Sequence, residues 1–311
     1  EIINGKGKVN EYNNTGELLF DFDYKYGDKN GKGKEYNNNA LIFEGQYIYG
    51  LKNGKGKEYD NEGNLIFEGE YLYDKKIKGK KYIKGNLEFE GEFLFNKKWK
   101  GKGYDEEGNI VYELKNGKGK VKEYDEYDSH LIYKGDYLNG KRNGKGVEYF
   151  LHDDKKIKIF EGEYKNGKKW KGKGYDFNND FAYELKNGEG KAKEYNYYLN
   201  YLLFEGDYLK GERNGKGIEY SFIGIIYDGE FNNGVRNGKG REYEGNTVVF
   251  EGEYINDNKY GKGNYYDEFN LLFKGDYING KRNGHGKQYE NGNLIFEGNY
   301  INGQRVVNEN I

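Results

Sequence analysis

The residue types that most often carry out catalysis are scarce in this chain of 311 residues. Cysteine is absent, and the only three His residues are His130, His152 and His285, which lie in separate segments. Without Cys and without clustered His, the sequence offers neither a thiolate or His-based nucleophile pair nor a Cys/His metal site. Each His is therefore predicted to be a surface side chain. The sequence predicts a protein that is not an enzyme and that needs no cofactor or metal.

Paired carboxylates are the other candidates for chemistry, because two acidic groups can share general acid and general base roles. Glu68 and Glu70 are such a pair, but similar pairs recur many times along the chain. A catalytic pair is needed once, whereas a repeated pair suits opposite-charge contacts between neighbouring strands. We expect these carboxylates to pair with ladders of Lys.

The glycine-rich basic stretch "YLNGKRNGKGVEYF" at 137–150 resembles a loop that holds a phosphate group. A phosphate loop of that type lies once between a strand and a helix, and it needs Gly-Lys followed by Ser or Thr. That tripeptide is absent here, and related stretches recur at 30–34, 53–57, 214–217, 237–240 and 283–287. The stretch is therefore predicted to be a turn that leads into a strand.

A repeat organises the whole chain. The pattern is an aromatic residue, any residue, Gly, any residue and an aromatic residue. Its central glycines, predicted to be structural, are Gly45, Gly69, Gly91, Gly135, Gly162, Gly206, Gly229, Gly252, Gly275 and Gly298. Two steps between these glycines are twice as long as the others, and each contains a degenerate copy, at 111–125 and 182–196. Because Trp99 and Trp170 lie 71 residues apart in the same local sequence, a block of about three repeats is duplicated.

Each repeat is predicted to form a β-hairpin. Phe67, Gly69 and Tyr71 alternate with Glu68 and Glu70, which is typical of a strand with one aromatic and one charged face. Asn/Gly turns follow, and proline is absent, so every backbone N–H can join a ladder. The glycine leaves a slot in which a neighbouring ring can lie. The fold class is therefore predicted to be all-β, an elongated single-layer antiparallel ribbon of some 26 strands.

The organisation predicted for the chain is one continuous array over 1–311, with degenerate repeats near 110–130 and 181–200. The first residues match the middle of a repeat, so we expect the chain to be part of a longer protein. The net charge is −2, which does not favour nucleic acid as a partner. The exposed terminal strands could pair with those of a second copy, which would give a homodimer.

The segments "FKGDYINGKRNGHGKQY" (273–289) and "YKGDYLNGKRNGKGVEY" (133–149) resemble the MORN repeat, named for a membrane occupation and recognition nexus. The resemblance extends over essentially the whole chain, with about thirteen copies. One departure concerns Tyr59, which lies three residues after Gly56 rather than two. Strict alternation would turn this Tyr away from the ring face, and the sequence leaves its face open. The resemblance implies a cytoplasmic scaffold that connects proteins, often near a membrane or the cytoskeleton.

The function predicted is therefore a non-catalytic scaffold whose aromatic and glycine face docks a helix or peptide of a protein partner. The candidate contact residues are Trp99, Trp170, Phe67, Tyr71, Tyr137, Tyr208, Tyr254 and Tyr277. For the two Trp residues a second interpretation is packing on the degenerate repeat that follows each of them. The alternative function is binding of anionic lipid, with phosphoinositide head groups on Lys55, Lys57 and Lys141, or of glycans on the ring rows.

Overall fold

The computed structural model describes residues 2–3, 6–127, 129–152, 155–268 and 270–306. These residues form strands joined by turns, and none of them lies in a helix. The chain divides into two compact units. Unit 1 comprises Glu1–Leu151 and Lys165–Gly167, and unit 2 comprises His152–Tyr164 and Lys168–Ile311. The predicted all-β antiparallel hairpin fold is confirmed.

The strands of unit 1 follow one another as hairpins. They are β1 (Ile2–Ile3), β2 (Lys6–Tyr12), β3 (Leu18–Lys25), β4 (Asp28–Asn37), β5 (Ala40–Ile48), β6 (Leu51–Tyr59), β7 (Leu65–Leu72), β8 (Lys75–Ile83), β9 (Asn86–Leu94), β10 (Lys97–Tyr104), β11 (Ile110–Leu114), β12 (Gly119–Tyr124), β13 (Leu131–Leu138) and β14 (Lys141–His152), whose last residue belongs to unit 2. Strands β1 to β11 form one antiparallel sheet in chain order, and β12, β13 and β14 pair in the same way.

Unit 2 repeats this arrangement. Its strands are β15 (Lys155–Lys165, whose last residue belongs to unit 1), β16 (Lys168–Tyr175), β17 (Phe181–Leu185), β18 (Gly190–Asn196), β19 (Tyr201–Leu209), β20 (Glu212–Ser221), β21 (Gly224–Asn232), β22 (Val235–Glu244), β23 (Thr247–Ile255), β24 (Asn258–Asp267), β25 (Asn270–Ile278), β26 (Lys281–Glu290), β27 (Asn293–Ile301) and β28 (Gln304–Arg305). Strands β18 to β28 form an eleven-stranded sheet. Of the 28 strands in the described residues, β1 and β28 have two residues each, which leaves 26 longer ones.

The strand ladder is interrupted at equivalent places in the two units. In unit 1, β11 and β12 are joined only by an isolated bridge between Lys115 and Lys118. In unit 2 the corresponding bridge joins Lys186 and Glu189, between β17 and β18. Both interruptions lie in the degenerate repeats, where the hairpin is too short to form a full ladder. That the chain forms one continuous array over 1–311 stays a prediction.

Aromatic rings on one face of each sheet pack on glycine backbone. A Cβ atom added to Gly56 would lie 2.5 Å from Cζ of Phe43, so the ring occupies the space that a larger residue would need. Phe43 also meets Tyr47 and Tyr71 edge to face, with centroid distances of 5.6 and 5.4 Å. Phe67 continues the zigzag from Tyr71 at 5.5 Å. Neighbouring hairpins therefore stabilise each other sideways through alternating rings, a geometry that aromatic pairs favour.

Regular alternation within its own strand sets the face of the second-strand Tyr. The register of β6 against β7 shifts between Glu58 and Tyr59, but the extra residue is Ile66 in β7, so β6 alternates without interruption from Gly56 to Tyr59. The Tyr59 hydroxyl donates a hydrogen bond of 2.8 Å to Oε1 of Glu44, which lies on the charged face. Tyr82 bonds to Glu68 in the same way at 2.7 Å. This Tyr therefore lies on the face opposite the rings.

Candidate functional site

The ring face of unit 1 is covered by basic side chains. The Nζ atom of Lys52 lies 4.0 Å from the centroid of the Phe43 ring and 2.9 Å from a carboxylate oxygen of Glu35. Lys76 repeats the arrangement over Phe67, at 4.5 Å. A cation above a ring is attracted by the ring's negative face. We call these cations, each placed over a ring and most of them paired with Glu, the cation roof.

Arg takes the same place in unit 2. The guanidinium of Arg213 lies 4.2 Å from the ring centroid of Phe204 and bonds to Glu194 at 2.8 Å and to Glu219 at 2.6 Å. Burial alone would raise the pKa of Glu194, but the hydrogen bond from Arg213 holds this pKa below its ordinary value. Arg236 continues the roof over Tyr227 at 4.3 Å. The roof is therefore an ionised layer that closes the ring face.

The structure places six of the predicted contact residues inside this packing. Phe67, Tyr71, Tyr254 and Tyr277 are buried, with exposed fractions of 1, 3, 1 and 5%. Tyr137 and Tyr208 are half-buried, and their hydroxyls donate to Glu123 and Glu194. These rings lie under or beside the cation roof. Their role as contacts of a partner stays a prediction.

The two Trp residues lie at equivalent turns. A Cβ atom added to Gly117 would lie 2.6 Å from the ring of Trp99, and one added to Gly188 would lie 2.8 Å from the ring of Trp170. The amide of Gly117 also donates to the carbonyl of Trp99. Both rings are half-buried on the turn of the degenerate hairpin that follows, as the second interpretation expects. Their role as anchors for a partner is untested.

The His residues are not brought together. His285 lies 3.9 Å from Glu297, and His152 lies 3.3 Å from Asn200. His130 faces Phe150. Within the described ranges, three or more His, Asp or Glu residues nowhere assemble into a group able to hold a metal ion.

The opposite face of unit 1 carries an open groove with a volume of about 950 Å³, which we call the charged groove. It crosses strands β2 to β9. Its floor is the backbone of Gly33, Gly45, Gly56, Gly69, Gly79 and Gly91, and charged side chains on either side of these glycines form its flanks. The floor is shallow because the residues that flank each glycine point to this face while the rings lie on the other.

Charges in the groove are arranged by strand. In β6, Lys55 and Lys57 stand on either side of Gly56, and in β7, Glu68 and Glu70 stand on either side of Gly69. The register places Lys57 opposite Glu68 and Lys55 opposite Glu70. We call each such pair a charge band. The basic bands are Lys32/Lys34, Lys55/Lys57 and Lys78/Lys80. The complete acidic bands are Asp21/Asp23 and Glu68/Glu70. Two further acidic bands have one carboxylate each in the groove: Glu44, whose companion is the neutral Gln46, and Glu90.

The groove runs across the strands. Seven steps of about 4.8 Å from β2 to β9 give a length of about 34 Å. The groove is open to solvent along this length and its floor is glycine backbone, so an extended chain can lie along it.

Two rows of side chains border the groove. On one side, the Tyr59 and Tyr82 hydroxyls bond to Glu44 and Glu68 and hold these carboxylates in place. Burial and these hydrogen bonds raise the pKa of each of the two hydroxyls to about 12. On the other side, exposed aliphatic residues such as Leu72 precede the hairpin turns.

Unit 2 has a smaller groove of about 500 Å³ on its charged face. Its flanks are less regular, because Asn264 stands where a charged residue would continue the alternation. Lys274 lies opposite Asn264 in the next strand. The longer alternating pattern belongs to unit 1.

A row of exposed aromatic residues lies along one edge of unit 1. Tyr26, Tyr49, Tyr73 and Phe95 each occupy the first position of a two-residue hairpin turn, with φ of 59, 51, 46 and 50° and exposed fractions of 74, 70, 56 and 75%. We call them the tip row. Positive φ is uncommon for aromatic residues and costs stability, whereas Asn tolerates it, as at Asn139 in the equivalent turn. Four aromatic residues of unit 1 therefore share a turn position that the local backbone preference disfavours.

Neighbouring tips are fastened to one another. The amide of Gly50 donates to the carbonyl of Lys29 at 2.9 Å, and the amide of Asp74 donates to that of Lys52 at 2.9 Å. Each bond joins a turn to the hairpin before it. The tip row is therefore a continuous feature of the sheet edge.

Sequence reasoning missed the cation roof. The sequence predicts turns for the basic residues of the "NGKR" and "DKK" segments, whereas Arg142 and Lys76 reach back over a ring to a Glu of an earlier strand. A signal was present in the regular spacing of 17 to 19 residues between the roof cation and its Glu. This spacing separates Lys52 from Glu35, Lys76 from Glu58 and Arg213 from Glu194.

Comparison with solved structures gives only distant similarity. A crystal structure of TcdB2-TccC3 with Cdc42 shares 11% identity with a TM-score of 0.17, over 88% of this chain and 18% of the other. A structure of TcdB2-TccC3 without its hypervariable C-terminal region shares 10% identity with a TM-score of 0.16, over 96% of this chain and 18% of the other. The chain thus spans under a fifth of the proteins it matches. These values support no conclusion about partner or function.

No curated protein sequence matches this chain. The MORN repeat model matches six segments: 43–65, 133–150, 160–170, 204–224, 227–246 and 273–294. The matched segments are distributed over both units and include Phe43, Gly45 and Gly56 of unit 1 and Phe204 and Arg213 of unit 2. The repeated hairpins and these six matches identify the chain as a MORN-repeat protein.

Proposed function

We propose that the protein is a non-catalytic scaffold that holds an extended segment of a partner protein in the charged groove of unit 1. The observation that carries this proposal is the groove itself, about 950 Å³ with glycine backbone as its floor. Glycine backbone allows a bound chain to approach closely, as it does wherever a ligand lies against a strand. The flanking charges supply directional contacts along the bound chain.

The choice of face differs from the expectation that the aromatic face docks the partner. Phe43 and Phe67 are each 1% exposed, and Lys52 and Lys76 stand above them. A partner on that face would have to displace ion pairs such as Lys52 with Glu35 before it reached a ring. Separating half-buried charges from their partners is costly. In the groove the ion pair between Lys34 and Glu44 is longer, at 3.9 Å, and more exposed, so rearranging it costs less.

The experiment is an unbiased selection of twelve-residue peptides displayed on phage against the full chain. We expect selected peptides to bind the variant K55Q/K57Q at least about ten-fold more weakly, because two cations are removed from the groove centre. The matched control is K75Q/K97Q, which also removes two exposed Lys but outside the groove, and it should bind as the original does. Failure to select any peptide, or binding indifferent to K55Q/K57Q, would count against the proposal.

A second candidate function is contact with a membrane surface, favoured specifically by the tip row. Tyr rings are enriched at membrane interfaces, where the ring lies among lipid and the hydroxyl in water. Exposed Ile48, Leu51, Leu72 and Leu94 flank the tips. The MORN family is often associated with membranes. Among the described residues, no helix is long and apolar enough to cross a bilayer.

Vesicle flotation tests this second function. The variant Y26N/Y49N/Y73N/F95N places at each tip the residue that most equivalent turns use, so it should fold at least as well. Membrane contact through the tips predicts that flotation with neutral and anionic vesicles is lost in this variant and kept in K55Q/K57Q. Loss confined to anionic vesicles and to K55Q/K57Q would instead support head-group binding on the groove Lys residues.

A further inference from the structure

We propose that the charged groove recognises a polypeptide segment in which acidic residues recur at every third position, with basic residues in the same period between them. This inference rests on the proposed function, since it names the class of segment that the groove takes. It is carried by charge complementarity between such a segment and the charge bands of β3 to β9.

The spacing of like charges in the groove is fixed by the sheet. Basic bands lie on every second strand, as Lys34, Lys57 and Lys80 show. Because neighbouring strands are about 4.8 Å apart, bands of the same sign are about 9.6 Å apart. The spacing cannot drift, since each strand is bonded to the next through its backbone.

A chain that lies along the groove must repeat its charges at this distance. Three residues of a polyproline II helix make one turn and advance about 9.3 Å, so every third side chain returns to the same face. Three residues of an extended strand advance about 10 Å, but the third side chain then points to the opposite face, so the strand conformation does not present every charge to the groove. Two extended residues advance only about 6.6 Å and four advance about 13 Å. Three basic bands span about 19 Å, and the charges of a peptide with a period of three stay within about 1 Å of these bands. With a period of two or four, the third charge lies more than about 5 Å from its band. Only the period of three lets every charge meet its band.

The alternation of sign also limits the partner. Between the basic bands Lys55/Lys57 and Lys78/Lys80 stands the acidic band Glu68/Glu70. A polyanion would meet repulsion at each acidic band, and a polycation would meet it at each basic band. A segment with both signs in the same period satisfies both. About eleven residues of polyproline II would fill a length of about 34 Å.

The test compares two peptides of identical composition against the full chain. The first is four copies of Glu-Pro-Lys, in which proline favours the polyproline II conformation. The second has four Glu, four Pro and four Lys in three blocks, so its length and net charge are the same. Binding of fluorescein-labelled peptides is followed by anisotropy. We expect the periodic peptide to bind about ten-fold or more tightly than the block peptide, and this preference to diminish as salt is added.

Variants of the protein place the effect in the groove. In K55Q/K57Q the preference for the periodic peptide should fall to about two-fold or less, because the central basic band is lost. In K75Q/K97Q the preference should be unchanged. Circular dichroism of each variant checks that the fold is retained.

The outcomes separate this inference from the proposed function. If both peptides bind equally and both are weakened by K55Q/K57Q, the groove binds polypeptides without the period of three, and the inference is wrong while the proposed function stands. If neither peptide binds, the inference is also wrong, and phage selection alone then decides the proposed function. A preference that K55Q/K57Q leaves intact would place recognition elsewhere and overturn the inference.

Discussion

Replacing Gly56 by Ala should destabilise the protein through a collision with one identified ring. The new Cβ would lie 2.5 Å from Cζ and 2.9 Å from Cε2 of Phe43, about 0.6–1.5 Å closer than an ordinary carbon contact of about 3.5–4.0 Å. Phe43 cannot retreat easily, because it is 1% exposed and has Tyr47 and Tyr71 at its edges and Lys52 above it.

The magnitude follows from two opposing effects. Overpacking a filled core costs about 1–3 kcal/mol. Ala is intrinsically better than Gly within a strand by about 0.5–1 kcal/mol. The expected net loss in the free energy of unfolding for Gly56→Ala is therefore about 1–2 kcal/mol. Urea denaturation followed by tyrosine fluorescence and circular dichroism measures it.

A double-mutant cycle decides whether the ring causes the loss. Phe43→Leu replaces the planar ring with a smaller side chain, so Gly56→Ala should cost at least about 1 kcal/mol less in that background. The control is Gly50→Ala in the turn, where no atom lies within 4 Å of the added Cβ but φ is +78°. Its cost is backbone strain and should not change with Phe43→Leu. Equal costs of Gly56→Ala in both backgrounds would refute the packing of rings on glycine.

The remaining predictions concern charge. Arg213→Gln should lower the free energy of unfolding by about 2 kcal/mol, because it removes charged hydrogen bonds of the cation roof. Arg241→Gln breaks a half-exposed ion pair and should change this free energy by less than about 0.5 kcal/mol. Equal shifts of the two variants in urea denaturation would contradict a stabilising role of the roof. The lowered pKa of Glu194 gives stability that is present above the ordinary carboxyl pKa of 4.5 and lost as the pH falls below it. Glu194→Gln should therefore reduce the loss of the free energy of unfolding as the pH falls, measured by acid denaturation. An unchanged loss would argue against a stabilising contribution from ionised Glu194. Because the pKa of Tyr59 and of Tyr82 is raised from 10.0 to about 12, the free energy of unfolding should fall between those pH values. The absorbance of ionised tyrosine and the circular dichroism signal of the fold should then change over the same pH range. Ionisation of Tyr59 and Tyr82 near pH 10 without unfolding would contradict the raised pKa values.

The hairpin fold could be predicted because the signal is local and repeated. Alternation around Gly69 identifies a strand with two unlike faces, and absence of proline permits a continuous ladder. Tyr59 lies on the face that strict alternation from Gly56 gives, opposite the rings. The sequence left this face open because a bulge in β6 would have inverted the alternation; the extra residue is instead Ile66 in β7, and no distinctive residue type marks that position.

The candidate site was only partly within reach of sequence reasoning. The pairing of Glu68 and Glu70 with Lys was predicted, and the register of β6, β7 and β8 places them opposite Lys. The cation roof was missed because Lys52 meets Glu35 across a neighbouring strand, and such a contact depends on register as well as composition. The volume of the groove depends on the conformations of the flanking side chains, which the sequence alone does not define.

Photo-crosslinking tests most directly which face of unit 1 binds a partner. A peptide selected on the full chain carries a photoreactive group at its centre, and its attachment sites are mapped by mass spectrometry. We expect attachment to residues of the charged groove, above all Lys55, Lys57, Glu68 and Glu70. Attachment to the roof residues Lys52 and Lys76, or to the tip row, would contradict it.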